Sequence, residues 1–187
     1  MARFTGLFIG ASFGTLFVLI NAGSPLPTAV AIGLKILAVL ALVSLVGAAG
    51  VISRSGPGDG VRMDQFGRGY RIVVLAEVVL LFGGFQVLRL LDAPEQSRIA
   101  WVAVVVGVHF IAFLWVWRQR SILVPGVLLT VYGVAGLVMA PTSAAEWVPI
   151  VSGVLSGVTL LACCLAVMSW EYRNGHHVVE QRSSGRH

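Results

Sequence analysis

Six stretches of the chain, residues 4–20, 27–52, 70–91, 99–117, 122–140 and 145–169, are apolar over most of their length. Each is close to the roughly 20 residues that an α-helix needs to cross the hydrocarbon layer of a bilayer. Lipid offers no partner to a backbone N–H or C=O, so such a chain must close its hydrogen bonds inside each run, as helices do. The strands of a membrane barrel alternate apolar with polar residues over about 10 positions, and these continuous runs do not. The sequence therefore predicts an all-α integral membrane protein with six transmembrane helices. At 57% hydrophobic and 11% charged residues, the chain leaves almost nothing for a domain outside the membrane.

Short connections after the first, third and fifth runs predict three hairpins, joining runs one and two, three and four, and five and six. On that topology Arg3, Arg54, Arg62, Arg68, Arg71, Arg118, Arg120, Arg173, Arg182 and Arg186 share one side, while Arg89 and Arg98 fall on the other. The excess of arginine marks the cytoplasmic side, so both termini are expected inside. Trp101 and Trp147 open their runs on the outer side, and Trp115, Trp117 and Trp170 close theirs on the inner side. Indoles favour that boundary, having an apolar ring and a polar N–H. The net charge of +5 is thereby placed on the topology and requires no nucleic acid. Arginine in place of lysine, with abundant Ala, Gly and Val, matches a GC-rich bacterial coding sequence, and the expected location is the bacterial cytoplasmic (inner) membrane. The first run is longer than the apolar core of a signal peptide and follows a single basic residue, so it reads as a span, with a signal peptide cleaved before Gly23 as the alternative.

The second connection, residues 53–69, is glycine-rich and reads as a flexible cytoplasmic linker. Residues 171–187 read as a short basic cytoplasmic tail, disordered, touching anionic lipid. Small residues mark helix contacts: Gly6, Gly10 and Gly14 recur every four positions in the first run, and Ser152, Gly153, Ser156 and Gly157 form a similar face in the last. Such faces pack within one chain or between the subunits of a homo-oligomer. A faint repeat aligns Trp101–Val108 with Trp147–Val154; extended through Gly33, it makes Lys35 and His109 equivalent, with Leu155 third. The Arg68-Gly69 entry to the third run and Gly153-x-x-x-Gly157-Val-x-Leu-Leu161 in the last resemble the six-helix HdeD-like acid-resistance membrane proteins. That resemblance covers two spans and implies a six-helix bundle. Glu77 and His109 do not belong to its pattern, so it assigns them no role.

Three ionisable side chains, Lys35, Glu77 and His109, lie inside the apolar runs. A charge at the bilayer centre costs about 2.5–3.5 kcal/mol on insertion scales, so each needs a partner, neutralisation or an exit. Lys35 has a long stem that can carry its ammonium to the outer interface. Glu77 lies about 10 Å below the inner surface and His109 near the middle of its run, beyond snorkelling distance. Stacked by depth, the three are candidates for a solute or proton site, with helix-to-helix hydrogen bonding as their plain structural alternative. The third and fourth runs form a hairpin, which makes Glu77 and His109 the pair most expected to meet.

His109 is the single histidine within a span, and Cys163 and Cys164 are too few and too close for a zinc site, so no metal or cofactor is expected. The sequence carries no phosphate loop, zinc-protease motif or nucleophile elbow, and catalysis is not expected. The reading is a membrane protein that binds or passes a small solute or proton through its bundle. The alternative is a non-transporting structural, assembly or stress-response protein.

Overall fold

Long runs of Leu, Val, Ile and Ala between polar or glycine-rich connections become helices in the computed structural model, which describes residues 5–54, 67–117 and 122–184. They are α1 (Thr5–Asn21), α2 (Thr28–Arg54), α3 (Arg68–Leu90), α4 (Ser97–Trp117), α5 (Leu123–Met139) and α6 (Leu155–Ser184). A 3₁₀ turn, Ala145–Trp147, and a π-helical segment, Pro149–Val154, precede α6. No strand occurs among the described residues. Four segments are long and apolar enough to cross a membrane: Thr28–Val51, Arg68–Leu90, Ser97–Trp115 and Ala145–Trp170. Helices α1 and α5, at 17 residues each, stand at the lower limit for spanning.

Much of the second connection, together with Arg3, Arg62, Arg118, Arg120 and Arg186, lies outside the described residues. Residues 171–184, expected as tail, continue α6 as helix. Once the span has formed the costly first turn, each added residue closes a backbone bond without a new nucleus.

Close approach at glycine sets the packing. In α1 against α6, a Cβ at Gly157 would stand 2.5 Å from the Gly14 carbonyl oxygen, and one at Gly14 would stand 2.9 Å from that of Gly157. In α4 against α5, a Cβ at Gly133 would stand 2.5 Å from the Val104 nitrogen. Gly10 meets Cys164 of α6, whereas Gly6, expected on the same face, has open space around it. Ser152, Gly153, Ser156 and Gly157 are all buried, so that small-residue face packs within the chain. The Ser152 hydroxyl donates to the Tyr132 carbonyl of α5 at 2.8 Å, and a Cβ at Gly153 would run into the Asn21 side chain of α1. The π-helical turn thus sits where α1 and α5 both press closely on the last span, a setting in which helices depart from α geometry.

Sequential hairpins do pack, but α1 on α6 and α4 on α5 are the more extensive pairings. Helix α2 closes a three-helix core with α1 and α6 around Ala11, Val18, Ala38, Leu45 and Leu161. A second core, Val106, Leu129 and Leu160, joins α4, α5 and α6. Helix α3 leans on α4 and has no buried residue. A Gly133→Val substitution would push two backbones apart and is expected to lower stability by about 1–3 kcal/mol. Thermal unfolding of the detergent-solubilised protein checks this.

Candidate functional site

The α3–α4 hairpin brings two stripes together. On α3, Tyr70, Glu77 and Gly84 recur every seven residues and so share a face. On α4, Trp101, His109 and Phe113 are separated by eight and four residues, again one face. Antiparallel pairing stacks these into three tiers.

The middle tier is ionisable. Nδ1 of His109 lies 3.0 Å from Oε2 of Glu77, with the two side chains only 13% and 19% exposed. The ring N–H does not point along the contact, which is therefore close and electrostatic rather than an aligned hydrogen bond. Below it, the Phe113 ring meets the imidazole edge-on at 4.2 Å, and Tyr70 stacks flat on Phe113 at 5.5 Å. Above it, the Trp101 indole N–H donates to the Leu80 carbonyl at 3.0 Å. Gly84 makes this possible, since a Cβ there would run into the indole nitrogen. Replacing Trp101 by Phe is expected to lower stability by about 0.5–1.5 kcal/mol through the lost bond, measured by thermal unfolding against the unsubstituted protein.

One proton shared by the two groups can be held as neutral acid with neutral imidazole, or as carboxylate with imidazolium. Both arrangements have zero net charge, which an apolar surround tolerates far better than either ion alone. A second proton makes the pair cationic, and loss of the first makes it anionic. Two ionisable groups thus meet between two helices, with aromatic rings walling one end.

Lys35 stands apart. Its helix, α2, packs on α1 and α6 and shares no substantial contact with α3 or α4. Among the described residues it makes no ion pair or hydrogen bond. The three-rung ladder is thus not assembled, while two of its rungs touch. Asn21 and Thr130 bond carbonyls one turn back on their own helices, at 2.8 Å each. Cys163 and Cys164 are free thiols, and Cys164 packs against Gly10. Among the described residues no three or more His, Cys, Asp or Glu side chains gather where they could hold a metal ion.

Sequence reasoning passed over Tyr70, Phe113 and the Leu80 carbonyl. The seven-residue interval from Tyr70 to Glu77 and the four-residue interval from His109 to Phe113 carried the signal for the two rings. A backbone carbonyl leaves no mark in a sequence. No protein-family model, curated protein or solved structure matches this chain.

Proposed function

We propose that this chain is a six-span protein of a bacterial cytoplasmic membrane, with both termini inside, that takes up a proton at the Glu77–His109 pair and binds or passes the proton or a small protonated solute. The 3.0 Å approach of His109 Nδ1 to Glu77 Oε2 carries this reading. Two ionisable groups that close, away from either end of their helices, are costly to bury as separate charges and economical as one proton-binding unit. The proposed activity is uptake or passage, without a covalent step. Orientation follows the arginine distribution, and spanning by α1 and α5 follows their 17 apolar residues each.

A second reading is favoured by the place of the pair. It joins α3, which leans on α4 and buries no residue, to the rest of the bundle, and the clefts at the α3–α4 turn are lined by other residues. On this reading Glu77 and His109 hold a helix in position. Purified protein in proteoliposomes under an imposed pH gradient separates the two. Proton uptake reduced by Glu77→Gln and by His109→Gln, with both variants folded, supports the first reading; uptake equal to that of empty vesicles in the unsubstituted protein supports the second.

A further inference from the structure

Arg89 and Arg98 are the two arginines of the α3–α4 connection, and the fold turns them toward one cleft. Helix α3 ends at Leu90 with Leu91 as its C-cap; the Ala93 N–H returns to the Leu88 carbonyl at 2.9 Å and Asp92 takes a left-handed conformation (φ 48°). An aspartate tolerates that conformation better than most residues, and the chain reverses within a few positions. The reversal sets the start of α4 beside the last turns of α3. A cleft of about 360 Å³ opens there, lined by Phe82, Phe85, Gln86, Arg89 and Arg98. The four α3 residues follow the i, i+3, i+4, i+7 spacing of a single helix face.

Two exposed guanidiniums at one cleft make it positive, and with water screening much of their repulsion the cleft is open to an anion. Carboxylates of the same turn do not serve: among the described residues neither Arg89 nor Arg98 forms a salt bridge. Glu95 lines a neighbouring cleft that Arg98 also lines, without forming a salt bridge to it. Paired guanidiniums, each with a planar fork of N–H donors, suit a phosphate, and Gln86 adds an amide donor. Phe82 and Phe85 extend the wall away from the arginines into the apolar part of α3, where hydrocarbon would lie along it. The site lies about 18 Å along α3 from Glu77 and does not depend on the proton pair.

We infer that this cleft binds a phosphate ester anion, with the headgroup of an anionic phospholipid as its membrane source and a soluble phosphate ester as the other. Native mass spectrometry of the full chain released from detergent tests it, with phosphatidylglycerol, phosphatidylcholine or glycerol phosphate added separately. Retention of phosphatidylglycerol over phosphatidylcholine, weakened about tenfold by Arg89→Gln or Arg98→Gln through loss of one charged donor and unchanged by Arg71→Gln at the far end of α3, supports the site with a lipid source. Retention of glycerol phosphate with the same two sensitivities supports it with a soluble source. Equal retention of both lipids, or phosphatidylglycerol retention indifferent to Arg89→Gln and Arg98→Gln, overturns it. Both arginines are exposed, so neither substitution disturbs the packing that the readout needs.

Discussion

Glu77→Gln is expected to reduce proton uptake in proteoliposomes to the level of empty vesicles while the protein remains folded. Glutamine keeps the shape and an acceptor oxygen beside the imidazole but cannot exchange a proton in the accessible pH range. His109→Gln removes the other half of the unit and is expected to give the same loss. Glu77→Leu is a different experiment. It leaves the His109 ring beside an apolar neighbour, and an unsatisfied polar group costs about 1–3 kcal/mol. The range applies in full, because His109 Nδ1 is itself buried although the rest of the ring keeps some exposure. Uptake that survives Glu77→Gln would remove the carboxylate from the activity.

Gly157→Val is expected to prevent recovery of monodisperse protein. The added Cβ would lie 2.5 Å from the Gly14 carbonyl oxygen, 2.8 Å from Val18 Cγ2 and 3.0 Å from Phe17 Cβ. Backbone cannot rotate away as a side-chain tip can, so α1 and α6 must separate. Overpacking a close contact typically costs about 1–3 kcal/mol, and here the strain adds to lost contact along the α1–α6 seam. Gly6→Val, on the same α1 stripe but with nothing within 4 Å, is expected to leave recovery unchanged. Size-exclusion chromatography of the two variants checks the pair; equal behaviour would mean that α1 does not pack on α6 as described.

The helices were legible because one physical requirement, internal satisfaction of backbone hydrogen bonds, leaves each long apolar run a single solution. Apart from α6, which runs on to Ser184, helix ends fell within a few residues of the hydropathy limits for the same reason. Which helices meet was less legible. Gly10, Gly14 and Gly157 announce close contact, yet a small residue specifies only that something approaches, and the α1–α6 and α4–α5 pairings cross between sequential hairpins. The π-helical turn at Pro149–Val154 opens on a proline and lies against the Asn21 side chain and the Tyr132 carbonyl, contacts on two other helices that a local reading does not supply.

At the candidate site, chain connectivity did much of the work. Glu77 and His109 belong to consecutive runs joined by a short turn, so their meeting depended on depth and register alone. Lys35 shared their chemistry but belongs to α2, whose hairpin contact with α1 was expected and whose packing on α6 could be found only in three dimensions. Trp101 was read as an interface anchor from its position at the start of a span. Its N–H also reaches across the hairpin to a carbonyl left accessible beside Gly84. The same property of indole, one apolar body with one donor, serves both settings.

Infrared difference spectroscopy of the reconstituted protein, titrated across pH, tests most directly whether Glu77 and His109 act as one proton-binding unit. A carboxyl signal that titrates in the unsubstituted protein, disappears in Glu77→Gln and moves to a different pH in His109→Gln is the expected result, because removing one coupled group must alter the titration of the other. A carboxyl signal that titrates at the same pH with and without His109 would contradict it.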